Sequence, residues 1–418
     1  MSYRVRMIVS EDSGSRFPLL FSEVGLPIDI ANRFLLTRAF GSGYKTVENL
    51  AKNILQLYRW ADTQKASVTN EIYERIKSGY LYSHEEVDSL VRYLSKNQRN
   101  LYKDSNVLEF ESYVSGAVLN QKIDAVKVYL KFLGGQGQAR RSITDPYYDR
   151  IQASVSNLCE ALESRKVGEL KEPKEGLSHK QQVFLLNCIE PESVNNPFSP
   201  RTQYRNYLII KILYLTGMRS GELLSLRIEN CDLKGDEPFL RIVQNTEKQQ
   251  DPRLRPPEVK TVGRKCYILR SLADEIDHYI LIDRKMRGRA ARKQPPYLFL
   301  GTHKDPKPLS QSSLNGIFST LREKFMSEVG HIHPHLLRHT FNDNLLRTVG
   351  KDMETVEFEK LQRHLCGWAS NSEQALKYEQ RALAELGRRK LMELQTDLMG
   401  TQDDKKELHP ELFEDVPF

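Results

Sequence analysis

The chain has 418 residues, 28% of them charged and 39% hydrophobic, with a formal net charge of +7. That length allows two or three domains with ample cores, and the composition is that of a soluble globular protein. Five isolated cysteines without a C-x-x-C pair argue against a disulfide framework or a zinc module and for a reducing compartment. No run approaches the roughly 18 apolar residues of a membrane span, and the N-terminus lacks a basic-then-apolar leader, so a cytoplasmic protein is expected, in the bacterial cytoplasm or nucleoid. The positive balance favours a polyanionic partner, although a modest excess also serves solubility.

Residues 1–45 read as an N-terminal extension in which YRVRMIV, the turn-rich SEDSGSR and FPLLF suggest a β-hairpin. From Thr46 to Ala61 the apolar spacing predicts an amphipathic helix, and further helices are expected at Asn70–Lys77, His84–Leu94, Ala117–Leu133 and about 145–163. Ser83 followed by Glu86 has the form of a capping box. Residues 46–165 therefore form a helical domain. The polar stretch around 166–177, broken by Gly168, Pro173 and Gly176, reads as a linker.

A second domain is expected over residues 178–395. It opens with a helix capped by Ser178 and a long apolar helix, YLIIKILYLTG, ended by Gly217. Ser220 is the expected N-cap of the next helix, with Glu222 in its first turn. PFLRIVQ (238–244), PPEVKTV (256–262), KCYILR (265–270) and YLFL (297–300) alternate as short strands do, with helices between and after them. The fold class is thus mainly α with a small antiparallel sheet, an α+β arrangement. The tail, residues 396–418, carries six acids against two lysines from Asp403 onward and ends in LFEDVPF, either a solubilising tail or a segment that packs on a neighbouring protomer.

In HPHLLRHTFNDNLL, Pro334 suits a first helical turn, while Leu336, Leu337, Phe341, Leu345 and Leu346 recur at helical spacing and make one apolar face. His335 and Arg338, three apart, share the helix edge near its N-terminal end. A proton carrier beside a permanently charged, five-donor guanidinium suits a phosphate whose negative charge grows during reaction. With ten histidines, a chance H-x-x-R is also expected.

Three further patterns stand in order around it: TGMRSGELLSL with Arg219 and Glu222, VKTVGRKCYIL with Lys260 at the tip of an expected hairpin, and LCGWASNSEQALKY with Trp368 and Tyr378. Their order of Arg, Lys, His-x-x-Arg, His or Trp, then Tyr resembles the tyrosine recombinase (phage-type integrase) family over residues 176–395. The resemblance implies a helical core-binding domain ahead of a catalytic domain, closing as a C-shaped clamp on double-stranded DNA. It further implies a homo-tetramer on paired DNA sites, with accessory DNA-bending or helper proteins in some cases, and no metal, ATP or other cofactor. By the same resemblance Tyr378 is the nucleophile of a 3′-phosphotyrosyl intermediate, Arg219 and Arg338 hold the phosphate, Lys260 is the general acid and His335 takes the tyrosine proton. Trp368 stands where many relatives have a histidine, so His335 is expected to be the site's sole imidazole. Glu222 is expected to orient Arg219.

Other readings attach to each residue. Arg219 would pair on the surface, Lys265 rivals Lys260, Trp368 would only pack, and Glu222 would simply serve a helix start. His331, His333 and His335 form a metal-type triplet, and Cys366 reads as a buried core thiol. At the level of function, the alternatives are a tyrosine-type transposase, a resolvase or hairpin-telomere resolvase, a DNA-binding relative that no longer cuts, and a metal-dependent phosphohydrolase.

Overall fold

The computed structural model describes residues 3–64, 72–80, 82–97, 113–139, 141–168, 175–244, 251–259, 261–288, 295–302, 307–349, 353–367 and 376–399; Thr355 and residues 376–385 are described in backbone only. The chain divides into two compact units, 1–172 and 173–418.

In the first unit, β1 (Arg4–Val9) and β2 (Arg16–Phe21) form an antiparallel pair, with Arg4 opposite Phe21 and Val9 opposite Arg16. Six helices follow: α1 (Asp29–Ala39), α2 (Tyr44–Thr63), α3 (Ile72–Lys77), α4 (His84–Ser95), α5 (Gly116–Gln138) and α6 (Pro146–Glu163). Leu20 of β2, Phe34 of α1, Ile54 and Trp60 of α2, and Ile123 and Tyr129 of α5 belong to one buried cluster. The hairpin and α1 are therefore built into the core of this unit, each such side chain contributing about 1.5–3 kcal/mol on burial. The capping box is present as read. The Ser83 hydroxyl accepts from the Glu86 amide at 3.2 Å, and the Glu86 carboxylate accepts from the Ser83 amide at 2.8 Å.

The second unit contains α7 (His179–Ile189), α8 (Pro200–Thr216), α9 (Ser220–Ser225), the antiparallel sheet of β3 (Cys231–Asp232), β4 (Phe239–Ile242) and β5 (Arg264–Tyr267), and α10 (Arg270–Tyr279). A π turn, Ile280–Arg284, links α10 to the short α11 (Lys285–Gly288), and α12 (Gln311–Val329), α13 (Pro334–Thr348), α14 (Thr355–Cys366) and α15 (Leu376–Met399) complete it. Helix α8 is its axis. Every residue from Arg205 to Thr216 is buried, as expected of a helix apolar on all sides. Lys211 is accommodated there because its Nζ donates to Glu275 at 2.8 Å and to the Tyr207 hydroxyl at 2.7 Å.

The chain enters this unit stitched to α13. The Gly176 amide donates to Asp343 at 2.7 Å and the Leu177 amide to the Thr340 hydroxyl at 2.8 Å. A Cβ on Gly176 would lie 2.4 Å from the Thr340 Cα, so only glycine permits this approach.

Three sequence expectations are corrected. Among the described residues of PPEVKTV there is no strand. The segment ahead of it is anchored instead by the buried Asp251–Arg253 pair (2.7 Å), with Arg253 donating to the carbonyls of Leu224 and Leu309 and Tyr297 donating to Asp251. YLFL makes isolated bridges, Arg227 to Tyr297 and Leu300 to Pro308, and no strand. Alternation in the sequence reports burial on one side and not the presence of a pairing partner. Finally, α9 is capped by Arg219 and not Ser220, because Glu222 at N3 accepts the Arg219 amide at 2.8 Å.

Candidate active site

Helix α8 ends at Gly217, whose backbone is left-handed (φ 60°, ψ 13°). A Cβ at this position would lie 2.3 Å from Phe341 on α13, so the missing side chain lets α13 cross the end of α8 closely. The crossing brings Arg338 to the buried Gly217 carbonyl, to which its Nη1 donates at 2.7 Å. Its Nη2 donates at 3.0 Å to the carbonyl of Cys366, in the last turn of α14.

The same Cys366 carbonyl accepts from Nη1 of Arg219 at 3.3 Å. Two guanidiniums thus converge on one oxygen at a helix C-terminus, where the backbone dipole favours positive charge. They differ in exposure: Arg338 is 2% exposed, whereas the Arg219 side chain is 36% exposed and faces solvent with donors to spare. Burial and the neighbouring Arg219 depress the Arg338 pKa. The cluster is therefore an electropositive seat with one deep and one accessible arginine.

His335 stands one turn before Arg338 on α13, whose N-terminus is built as read, with Pro334 in the first turn. His333 is the N-cap, its Nδ1 accepting from the Leu336 amide at 3.1 Å. That use of Nδ1 and the extended cap backbone set His333 apart from a metal-ligand triplet, and among the described residues no group of three or more His, Cys, Asp or Glu is arranged to hold a metal. Partial burial lowers the His335 pKa, and His339, Arg338, His333 and Arg219 push it further in the same direction. The ring should therefore be neutral and proton-accepting at pH 7. Followed by NMR, His335 is expected to titrate with a midpoint below its ordinary 6.5; a midpoint above that value would contradict the electropositive seat.

Sequence reasoning missed four features. His339 places a second imidazole 4.6 Å from the His335 ring, edge to face, and its buried Nε2 has no hydrogen-bond partner among the described residues. His335 is thus not the sole imidazole in this region. Arg264 on β5 forks onto Glu222, Thr261 donates to the same carboxylate, and the Cys366 carbonyl gathers the arginines. Strand alternation could have put Arg264 on the same side as buried Cys266, but nothing local names Glu222 as its partner.

Lys265, the rival general acid, projects from the other side of β5, its Nζ 4.3 Å from the Phe239 ring centre. Lys260 and Trp368 lie outside the described residues, as does the side chain of Tyr378, whose backbone is in α15. Cys366 is a buried thiol as read. Its Sγ lies 3.3 Å from the Asn342 side-chain oxygen, and burial raises its pKa.

Comparison with known proteins decides the family. Residues 192–380 match the model of the phage integrase family. Tyrosine recombinase XerC of Bacillus licheniformis is 32% identical over 238 residues, covering 56% of this chain and 70% of that protein. The chain belongs to the phage integrase family. It is a tyrosine-type site-specific recombinase, an enzyme of DNA strand breakage and rejoining. XerC of Bacillus pumilus is 25% identical over 288 residues, 63% of this chain and 88% of its own. Among solved structures, XerH bound to its difH substrate matches with TM-score 0.47 at 15% identity, over 84% of this chain and 83% of that one. A Tn1549 transposon integrase in complex with transposon right-end DNA matches with TM-score 0.47 at 16% identity, over 85% and 98% of the two chains. Among the described residues, no helix is long and apolar enough to cross a membrane.

Proposed function

We propose that Arg219, Lys260, His335, Arg338, Trp368 and Tyr378 act on a single scissile phosphate of this recombinase's DNA site. In the cleavage step the Tyr378 phenol oxygen forms a bond to phosphorus while the bond from phosphorus to the 5′-oxygen breaks. His335 accepts the phenol proton, and Lys260 returns a proton to the departing 5′-oxygen. Arg219 meets the non-bridging oxygens from the accessible side, and Arg338 adds fixed charge from beneath. The Trp368 indole N–H donates one further hydrogen bond and cannot titrate. Because the phosphotyrosyl bond keeps the energy of the broken linkage, a second attack by a sugar hydroxyl reseals the strand without ATP. The observation that supports this reading best is the convergence of Arg219 and Arg338 on the one carbonyl of Cys366, with His335 alongside.

Further parts of the proposal rest on the family alone: four protomers on two DNA sites, helper proteins in some reactions, and action in the cytoplasm or at the nucleoid. The acidic tail is proposed to pack on a neighbouring protomer; truncation after Gly400 that leaves assembly on DNA unchanged would count against this.

A nicked duplex that releases a short fragment after cleavage tests the core of the reading. The wild-type chain should accumulate a covalent adduct, undiminished in chelator, and Tyr378→Phe should accumulate none. Adduct that persists in Tyr378→Phe would contradict it. The lysine assignment has its own test. Lys260→Ala should lose about 10²–10⁴ in rate, and a 5′-sulfur leaving group, which needs little protonation, should restore most of it. Lys265→Ala should behave as wild type; the reverse pattern would move the role to Lys265.

A further inference from the structure

Glu222 is 2% exposed, yet four donors reach its two oxygens. Oε1 accepts from the Thr261 hydroxyl and from Arg264 Nη1 at 3.0 Å, while Oε2 accepts from Arg264 Nη2 at 3.1 Å and from the Arg219 amide at 2.8 Å. A carboxylate offers about four acceptor sites, so this one is full. Burial alone would raise its pKa, but the Arg264 fork, the hydroxyl and the amide outweigh burial and hold it ionised. It therefore has no proton to give and no lone pair left for substrate.

What the carboxylate does is join three segments: the cap of α9 that carries Arg219, the turn at Thr261 beside Lys260, and β5. Arg264 does more than fill it. Its side chain, 5% exposed, also lies against the turn after α14, where a Cβ on Gly367 would sit 2.4 Å from Nη1. That turn follows Cys366, whose carbonyl receives Arg219 and Arg338. Arg264 thus touches both supports of Arg219, the carboxylate that holds its backbone and the turn behind the carbonyl that holds its side chain. The three arginines and Glu222 together leave two positive charges, matching the two negative charges of a pentavalent phosphorane.

We propose that Arg264 is a positioning residue for strand cleavage, holding Glu222 and the turn after α14 so that Arg219 meets the scissile phosphate. It would not itself contact DNA. The proposal rests on the reading of Arg219 as a phosphate-binding residue.

The test uses the full chain and a nicked duplex, with either a normal scissile phosphate or a methylphosphonate that lacks one charged non-bridging oxygen. Arg264→Met should bind DNA within about twofold of wild type yet cleave the normal linkage roughly 10- to 100-fold more slowly, less than the loss of a direct donor. Relative to wild type, that deficit should shrink to about threefold or less on the methylphosphonate, because little charge remains there for Arg219 to stabilise. A deficit of equal size on both linkages, or none on the normal one, would overturn the proposal. If Arg264→Met does not fold, Arg264→Lys carries the same test, since it keeps the buried charge but cannot span both oxygens of Glu222. Arg219→Ala runs alongside: normal cleavage by that variant would bring down the reading of the site itself. A dead Arg219→Ala with an Arg264 variant that is normal, or equally slow on both linkages, would sink only the inference.

Discussion

Arg338→Ala should slow strand cleavage by about 10²–10³-fold, as expected for losing a fixed donor at a developing charge. It should also unfold more easily. Arg338 is 2% exposed, and its two Nη atoms donate to the carbonyls of Gly217 and Cys366, so truncation strands the buried Gly217 carbonyl at about 1–3 kcal/mol and leaves the Cys366 carbonyl to Arg219. The two effects separate with Arg338→Lys, which keeps a charge but cannot reach both carbonyls as a planar fork does. Single-turnover cleavage, run at a temperature where each variant remains folded, should rank wild type well above lysine and lysine above alanine. An alanine variant within tenfold of wild type would mean that Arg338 only braces α8 against α14.

Gly217→Ala should be strongly damaging for so small a substitution. The position has φ 60°, which costs an L-residue about 1–2 kcal/mol. The new methyl group would also meet the Phe341 ring at 2.3 Å, an overpacking penalty of about 1–3 kcal/mol in a closed core. Together these approach the whole stability of a marginal domain, typically about 5–15 kcal/mol. Urea unfolding should show the loss, and Phe341→Leu in the Gly217→Ala background should recover part of it by making room. An unchanged midpoint in Gly217→Ala would show that α8 and α13 need not approach as closely as they do, and with that the placement of Arg338 would lose its basis.

These positions also mark how far the sequence could be read. Gly217 as a helix end and Pro334 in a first turn depend on local rules and stand where expected, while of the expected apolar face Leu337, Phe341 and Leu345 are buried, Leu336 is partly buried and Leu346 is exposed. The capping box at Ser83 and Glu86 is local in the same sense. What escaped reading was set by partners distant in sequence. Glu222 accepts from Arg264 across 42 positions and Arg219 donates to Cys366 across 147, and no periodicity encodes either pairing. The failure at the described residues of PPEVKTV has the same origin, since a strand exists only where another pairs with it, and the segment ahead of it is anchored by the Asp251 and Arg253 side chains instead. The Arg219 cap displaced the expected Ser220 because a fully engaged glutamate at N3 outweighs a hydroxyl at the next position.

The most direct measurement is the chemical identity of the covalent link. Adduct trapped on a nicked duplex, trimmed by nuclease and digested with trypsin, is predicted to carry the 3′-phosphonucleotide mass on the peptide Tyr378–Arg381, attached to Tyr378. The same mass on any other tyrosine, or on serine or histidine, would contradict the account.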